Sequence, residues 1–327
     1  MKLFGLNASR EYAQLLADHL GVGLAGHEER DFADGEFKIR PLDSVRGERV
    51  FVCQSLAPDA KHSVHDKLCR LLFFAGALKD AAASDVTAVV PYLAYSRKDR
   101  RTKPRDPVAT RYVARLFEAV GIDAVATIDV HNPSAFDNAF ACRKEHLEAT
   151  ALFAEHFAPI IGNAHKIVVL APDVGGVKRA RAFAAQLSTR STREVELAFM
   201  EKQRSGGRVS EELFAGDVRD AVVIVLDDLI ASGTTIVRAA AAAFDRGADA
   251  VHAAATHGLL VDGAVSALDG ASLASLVVTD TLVDVRRRYE GLRTEVHVLK
   301  SAVLLGRALE HWNRDREIEA DLPFDAD

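Results

Sequence analysis

The chain has 327 residues, of which 49% are hydrophobic and 27% charged, as is typical of a globular protein with well-filled cores. Its 41 lysines and arginines against 47 aspartates and glutamates give a net charge of -6, which argues against a general nucleic-acid binder, since such proteins carry a basic footprint. Three scattered cysteines form neither a disulfide framework nor a metal-ligand pattern, and no apolar run suits a membrane span or a secretory signal, so we expect a reducing, cytoplasmic location.

The first part of the chain alternates short apolar runs with helical stripes. We predict strands at 2–6, 49–54 and 86–90, helices at 9–20 and 65–82, and a hairpin end at 31–40. Residues 21–26 match the G-x-G-x-x-G pattern. They follow a helix and lead into an extended segment, whereas the dinucleotide fingerprint follows a strand and opens a helix, so we interpret the match as coincidental. His62 and His65 can share a helix face, but without a third ligand a metal site is the less favoured interpretation.

A basic segment follows the strand at 86–90. It carries six cations, which are Arg97, Lys98, Arg100, Arg101, Lys103 and Arg105. Such a charge run is usually a solvated surface. Beyond the carboxyl end of a strand it could also close over a polyanion such as a triphosphate, and position alone leaves the two interpretations equal.

Acids, glycines and one histidine recur at predicted strand ends through the middle of the chain. A helix at 107–120 leads to a strand at 124–128, which ends in Asp129-Val130-His131. The remaining predicted elements are helices at 146–157, 177–187, 236–244 and 301–312, and strands at 166–170, 195–199, 222–226, 251–255 and 273–278. The strand at 166–170 is followed by Asp173 and two glycines, and the strand at 195–199 leads to Lys202 and Arg204.

The stretch at 221–235 is the most informative of these. A fully apolar strand is followed by Asp227 and Asp228, then by the small residues 232–235 and an alanine-rich helix. In open α/β sheets, ligands bind beyond the carboxyl ends of strands, where a helix amino terminus can hold a phosphate. The aspartates would repel a phosphate but can accept hydrogen bonds from sugar hydroxyls. The pattern suits ribose 5-phosphate, although a helix cap with two solvated acids explains it equally well.

Strands alternate with helices in both halves, which predicts an α/β protein of two similar domains, each a parallel sheet flanked by helices. We expect one domain over 1–148 and a second over 149–312. The residues at 313–327 form an acidic tail, for which we expect solvation rather than packing.

Taken together, the motifs resemble ribose-phosphate diphosphokinases along almost the whole chain. The motifs, in order, are Phe-Ala-Asp-Gly-Glu at 32–36, Ala-Val-Val-Pro-Tyr-Leu-Ala-Tyr-Ser-Arg-Lys-Asp-Arg at 88–100, Asp-Val-His at 129–131, Pro-Asp-Val-Gly-Gly-Val-Lys-Arg-Ala at 172–180, Lys-Gln-Arg at 202–204, Gly-Asp-Val at 216–218, the Asp-Asp loop at 227–235, Thr-His-Gly at 256–258 and Thr-Asp-Thr at 279–281. The resemblance implies two phosphoribosyltransferase-like domains and transfer of the diphosphoryl group of ATP to ribose 5-phosphate, with Mg²⁺ as cofactor.

The resemblance also implies site residues and partners. The nucleotide would be bound by Phe32, Asp34, Glu36, Arg97, Lys98 and Arg100. Ribose 5-phosphate would be bound by Asp227, Asp228, Ser232, Gly233, Thr234 and Thr235. The metal ligands would be His131 and Asp173, and the catalytic residues Lys202, Arg204 and His131. The partners would be ATP, ribose 5-phosphate and further copies of the chain in a homo-oligomer, a hexamer in the family, with neither nucleic acid nor membrane.

Three departures from the family pattern mark a divergent sequence. Ala231 and Ser232 stand where many members have Asp and Thr, Thr234 replaces a common glycine, and Lys98 replaces a common glutamine. Two alternatives to an active enzyme stay open, a non-catalytic regulatory subunit and a phosphoribosyltransferase. Retention of the charged site residues argues against a regulatory subunit, and the presence of a second α/β half argues against a phosphoribosyltransferase.

Overall fold

A computed structural model describes residues 1–162, 164–205, 208–282 and 284–313, with side chains for all of these except 202–205, 208–212, 285, 286 and 313. The chain divides into two compact units, neither of which is continuous in sequence. Of the described residues, the first unit contains 1–127, 134–147 and 302–313, and the second contains Ile128–Pro133 and Glu148–Ser301. The sequence predicts a single boundary at 148, which places 128–133 in the first domain and 302–312 in the second. That contiguous division stays a proposal.

The first unit is a five-stranded sheet with helices and one separate hairpin. Its elements are β1 (Lys2–Gly5), α1 (Arg10–Leu20), β2 (His27–Asp31), β3 (Phe37–Pro41), β4 (Arg49–Cys53), α2 (Val64–Asp80), β5 (Asp85–Val90), α3 (Ala109–Ala119), β6 (Ala124–Ile128), α4 (Pro133–Ala139) and β7 (Arg143–Leu147). The sheet order is β1-β4-β5-β6-β7, and the pairs from β1 to β6 are parallel. The strands β2 and β3 pair antiparallel in a sheet of their own.

The second unit is a seven-stranded sheet. Its elements are α5 (Thr150–Ile160), β8 (Lys166–Ala171), α6 (Val177–Ser191), β9 (Glu196–Ser205), β10 (Arg208–Ala215), β11 (Ala221–Ile230), α7 (Thr234–Phe244), β12 (Ala250–Gly258), α8 (Ala264–Asp269), β13 (Ser275–Thr279), α9 (Val285–Arg288) and β14 (Val296–Leu299). The order is β10-β9-β8-β11-β12-β13-β14, with only the edge pair β9–β10 antiparallel among the strands described.

The core of the second unit lies around β11, because this strand is apolar on both faces. Val223, Val225 and Ala253 are fully buried in the sheet. Alanines of α7, Ala239, Ala240 and Ala243, pack against it, and their small side chains let the helix approach closely. The short β-branched strand predicted at 222–226 therefore occupies the centre of a buried parallel sheet, as such runs do.

The last described helix, α10 (Ala302–Asn313), follows the second unit in sequence but belongs to the first. Arg49 donates from Nη1 to the carbonyl oxygen of Trp312 at 2.6 Å, and the Arg143 guanidinium lies 5.7 Å from the centre of the Trp312 ring. Gly306 lies against His19 of α1, where a Cβ atom would collide with the imidazole. A tight helix contact therefore ties the end of the described chain to its beginning.

Two sequence predictions of secondary structure need correction. The helix predicted at 146–157 runs from Thr150 to Ile160, because residues 143–147 form β7 at a sheet edge. The strand predicted at 195–199 continues through the polar residues 201–205 and pairs antiparallel with the edge strand β10, for which no strand was predicted. The residues at 21–26 join α1 to β2, and α1 ends at Leu20 with Gly21 as its C-cap at φ of +65°, in agreement with a coincidental G-x-G-x-x-G match.

Among the described residues, none of the helices is both long and apolar enough to span a lipid bilayer.

Candidate active site

Two adjacent acids lie near the carboxyl end of β11. The strand continues through Ile230, so Asp227 and Asp228 are part of it, whereas the sequence predicted that they follow it. Asp227 is in register with Ala255 and Leu229 with His257, which places Asp228 beside Thr256 of β12. Asp228 is 6% exposed, and its backbone N–H donates to Oδ1 of Asp227 at 2.9 Å. The second acid is therefore a buried carboxylate at a sheet end, not a solvated one.

Two basic side chains face Asp228. His131, in the segment that joins β6 to α4, lies with Nδ1 2.8 Å from Asp228 Oδ2. Arg179, in the first turn of α6, lies with Nη1 3.7 Å from Asp228 Oδ1. Burial raises the pKa of Asp228, but the hydrogen bond with His131 and the charge of Arg179 outweigh burial and hold that pKa well below its ordinary value. Asp228 is therefore ionised at neutral pH.

Asp227 behaves in the opposite way. Burial and the negative charge of Asp228 raise the pKa of Asp227 well above its ordinary value. Two carboxylates this close do not ionise independently, so the pair shares its titration. The negative charge rests on Asp228, while Asp227 can hold a proton and can both donate and accept hydrogen bonds.

The segment 232–235 makes the turn into α7. The helix begins at Thr234, and its N-cap is Gly233 with φ of +75°. A Cβ atom at Gly233 would lie 2.9 Å from Leu268 Cγ, so the position requires glycine for both its backbone and its space. Ser232 and Thr234 are exposed, with their hydroxyl oxygens 2.9 Å apart. Backbone N–H groups at such a helix start bind anions.

Asp173 follows β8 and is exposed. Its Oδ1 accepts a hydrogen bond from the backbone N–H of Gly176 at 3.0 Å, so it caps the short 3-10 turn at 174–176. A capping carboxylate that is exposed keeps oxygen lone pairs for a further partner. Among the described residues, no group of three or more His, Cys, Asp or Glu side chains could by itself hold a metal ion.

Lys202 and Arg204 belong to β9, where they pair with Glu212 and Val209 of β10. Their side chains lie outside the described residues, so their expected contact with a transferring group stays a prediction.

The hairpin that carries Phe32, Asp34 and Glu36 lies in the first unit. These three residues form the exposed turn between β2 and β3, which closes through a hydrogen bond from Phe32 N–H to Glu36 O at 2.9 Å. Phe32 is 40% exposed and stacks 5.4 Å from the Arg30 guanidinium. A phenylalanine in the core would be buried, so this exposure suits a residue that contacts a ligand.

The buried Arg70 of α2 holds this hairpin in place. It contacts Asp31, donates to Glu29 at 3.2 Å and lies 4.5 Å from the centre of the Phe37 ring.

The basic segment also lies in the first unit, between β5 and α3. Arg97, Lys98 and Arg100 are exposed. Asp106 organises the segment, since it accepts hydrogen bonds from Thr102 N–H at 3.1 Å and Lys103 N–H at 3.0 Å and lies 3.9 Å from Lys98 Nζ. The six cations therefore belong to a loop whose backbone is held by one acid, Asp106.

The structure brings His131 and the Asp227–Asp228 pair together, with Asp173 close enough for its charge to act on Asp227. It also adds Arg179, Asp129, Thr256 and His257, to which sequence reasoning gave no role. All four stand in motifs that carry the family resemblance, but an arginine in a first helical turn or a threonine in a strand carries no local signal of burial.

Comparisons with known proteins show the family of this chain. Residues 1–121 match the family described as the N-terminal domain of ribose phosphate pyrophosphokinase, and 142–271 match the phosphoribosyl transferase domain. Ribose-phosphate pyrophosphokinase from Hyphomonas neptunium is 37% identical over 97% of this chain and 98% of its own, and that from Thermotoga maritima is 35% identical over 94% of each.

A solved structure shows the same fold. The crystal structure of phosphoribosylpyrophosphate synthetase from Mycobacterium smegmatis matches with a TM-score of 0.87 at 31% identity, covering 96% of this chain and 99% of that one. The resemblance and the fold class inferred from sequence motifs are confirmed. The chain belongs to the ribose-phosphate pyrophosphokinase family.

Proposed function

We propose that this chain is a ribose-phosphate pyrophosphokinase, which transfers the diphosphoryl group of ATP to the anomeric hydroxyl of ribose 5-phosphate and yields phosphoribosyl diphosphate and AMP. The observation that carries the proposal is the buried, ionised Asp228 on the same strand–loop–helix as the anion-binding start of α7. One end of this element suits sugar hydroxyls and the other suits a phosphate. The names of the curated relatives support the same activity.

In this proposal the acid pair binds the ribose ring. Ionised Asp228 accepts hydrogen bonds from ribose hydroxyls, and Asp227 complements it as donor or acceptor. His131 and Arg179 stabilise the ionised form of Asp228. They also limit rotation of its carboxylate group, since each contacts one of the two carboxylate oxygens. Hydrogen bonds to an ionised group are stronger than those between neutral groups, so the two aspartates fix the orientation of the ribose as well as binding it.

The segment 232–235 binds the 5-phosphate. Its backbone N–H groups and the hydroxyls of Ser232, Thr234 and Thr235 are donors, and the positive end of the α7 dipole favours an anion there. Residues 231–235 include no acid that would repel the phosphate.

The donor set fits Mg²⁺ in the form that this ion takes with nucleotides. Mg²⁺ keeps several waters and binds through one or two carboxylates plus substrate phosphates, so it does not need a group of three protein ligands. The exposed carboxylate of Asp173 suits this role. His131 can take part through Nε2, since Nδ1 is bonded to Asp228. When bound, the ion neutralises phosphate charge.

Lys202 and Arg204 bind the transferring group. Phosphoryl-type transfer requires little covalent chemistry from the protein; it depends on in-line positioning and on cations where charge spreads. Lysine supplies a point charge, and arginine can bind phosphate through two N–H groups. No P-loop sequence, G-x-x-x-x-G-K-[ST], occurs in the chain.

In the first unit, the exposed turn at 32–36 and the cations Arg97, Lys98 and Arg100 bind the nucleotide. The exposed ring of Phe32 can stack on adenine, and the carboxylates of Asp34 and Glu36 can accept from its amino group. The cations of the basic segment neutralise the triphosphate. We also propose a homo-oligomer, which sedimentation of the purified chain would test, and a cytoplasmic location.

The test is to incubate the purified chain with ATP, Mg²⁺ and ribose 5-phosphate and to measure AMP by chromatography and phosphoribosyl diphosphate by ³¹P NMR. AMP that forms only when ribose 5-phosphate is present supports the proposal. No AMP across varied metal and phosphate conditions overturns it in favour of a non-catalytic subunit. AMP formed equally without ribose 5-phosphate shows hydrolysis instead, and consumption of phosphoribosyl diphosphate with a free base shows a phosphoribosyltransferase.

A further inference from the structure

The segment that carries His131 is held by buried contacts on the side away from Asp228. Asp129 is 3% exposed and has φ of +41°, a left-handed conformation that non-glycine residues adopt only when neighbouring groups hold them in it. Its Oδ2 accepts hydrogen bonds from Ala149 N–H at 2.9 Å and from the Thr256 hydroxyl at 2.5 Å. The backbone two residues before His131 is thus fixed by a side chain of β12.

His257 holds the same segment through its backbone. Its Nε2 lies 3.1 Å from the carbonyl oxygen of Ile128 and 3.2 Å from that of Asp129. Both partners are acceptors, so Nε2 carries the proton and donates. On the other side of the ring, Nδ1 lies 2.8 Å from the hydroxyl oxygen of Thr281. The imidazole therefore connects the end of β13 to the segment at 128–129.

The register of the sheet makes this arrangement one unit with the site. Thr256 lies beside Asp228 on the neighbouring strand, because Asp227 pairs with Ala255 and Leu229 with His257. Two neighbouring residues of β11 and β12 thus contact the same short segment: Asp228 is bonded to His131, and Thr256 is bonded to Asp129.

We propose that Thr256 and His257 are positioning residues for His131, which fix the backbone at 128–129 so that the imidazole meets Asp228 at hydrogen-bond distance. The inference rests on the proposed function only for the role of His131 in the reaction. The placement of the His131 ring is a property of the folded chain and can be measured without substrate. Neither residue touches the reacting atoms in this proposal; both act through the segment that they hold.

The first experiment measures the His131 ring directly. Protein labelled with ¹⁵N-histidine gives ring ¹H–¹⁵N correlations, and a His131→Gln variant assigns the His131 signal. Thr256→Val removes the hydroxyl at nearly constant volume and is expected to move that signal, whereas Thr256→Ser keeps the hydroxyl and is expected to restore it. Thr87→Val changes a buried strand threonine of the first unit and serves as the matched control.

The second experiment is a double-mutant cycle on turnover. A small misplacement of a reacting group can lower a rate about 10²-fold, so we expect Thr256→Val and His257→Leu to lower kcat roughly 10- to 100-fold with less than about threefold change in KM. His257→Gln, which keeps an N–H donor near the position of Nε2, is expected to recover part of the loss. In a His131→Asn background the Thr256→Val change is expected to have little further effect.

The proposal is overturned if the His131 signal is the same in Thr256→Val as in the wild type, or if the losses of kcat multiply fully in the double variant. If the wild type forms no AMP, the proposed function fails, while the NMR comparison still decides whether Thr256 places His131.

Discussion

At the scale of single residues, Asp228 is the side chain on which the substrate assignment depends. A carboxylate accepts hydrogen bonds at both oxygens, whereas the amide of an Asp228→Asn variant offers one acceptor and adds a donor that faces Arg179. Because a hydrogen bond to a charged group is worth about 1.5–3 kcal/mol, the variant should bind ribose 5-phosphate at least roughly tenfold more weakly. Binding of ATP should change by less than about threefold. Calorimetric titration of the folded variant checks this, and comparable losses for the two ligands would contradict the assignment.

Lys202 offers a test of chemistry rather than of binding. A cation aimed at the transferring group meets more charge in the transition state than in bound ATP, and only such a differential interaction raises the chemical rate. Lys202→Ala should therefore lower kcat by about 10²–10³. A solvated surface lysine predicts instead a change within roughly ±0.5 kcal/mol. Steady-state kinetics decide, and a variant whose only defect is a higher KM for ATP would show that Lys202 contacts the ground state.

At the scale of elements, the turn before α7 allows a matched pair of glycine variants. Gly233 and Gly263 are both helix N-caps, with φ of +75° and +83°. A Cβ at Gly233 would lie 2.9 Å from Leu268 Cγ, while a Cβ at Gly263 would have no described atom within 4 Å. Gly263→Ala should cost about 1–2 kcal/mol of stability from backbone strain alone, and Gly233→Ala roughly 1–3 kcal/mol more from overpacking.

Urea denaturation measures this difference, and the KM for ribose 5-phosphate should rise in the Gly233 variant only. Equal stabilities and equal KM values in the two variants would show that the turn into α7 adapts freely and that its shape is unimportant for the phosphate.

The basic segment is the element whose motion the proposed reaction requires. Its cations repel one another until an anion arrives, and exposed charges are only partly screened at physiological salt. Hydrogen exchange across 95–105 should slow when Mg²⁺ and ATP are added together. A Phe32→Ala variant, which keeps every cation but loses the stacking surface, should need more ATP for the same protection. Identical exchange with and without nucleotide would count against closure of this segment.

At the scale of the whole molecule, a cluster of histidines makes stability depend on pH. The His156 and His297 ring centres lie 4.7 Å apart, His252 packs on Phe157, and Glu295 lies 3.3 Å from His297. Burial, together with the neighbouring imidazoles, lowers the pKa values of His156 and His252. Histidine in the unfolded chain has a pKa of about 6.5, so below that pH the unfolded chain binds more protons than the folded one. The contribution of these histidines to stability is therefore full above that pH and is lost as pH falls through it.

His156→Phe should therefore flatten the fall in the free energy of unfolding between pH 7.5 and 5.5, measured by denaturant titration. The raised pKa of Asp227 acts in the opposite sense, so the slopes of variant and wild type must be compared. His311→Phe, at an exposed position of α10, is the control. The same slope in His156→Phe and the wild type would refute the role of this cluster.

Local pattern predicted the parts of the fold that depend on buried strands. Parallel β11 and the acids near its carboxyl end were visible because β-branched runs and sharp polar changes are local signals. The edge strands β7 and β10 and the polar second half of β9 were missed, because strands that lack an apolar run, as edge strands can, carry no local signal. The largely buried arginine of the site, Arg179, was missed because its partner Asp228 is distant in sequence.

The return of α10 to the first unit has a consequence for the order of synthesis. Domains generally fold as units, the N-terminal one first, while the chain leaves the ribosome. Here the hydrogen bond from Arg49 to Trp312 O, and the contact of His19 with Gly306, cannot form until almost the whole described chain has been made. The second unit can complete its sheet earlier, since its residues end at Ser301. The unit that begins the chain is therefore the last to be finished.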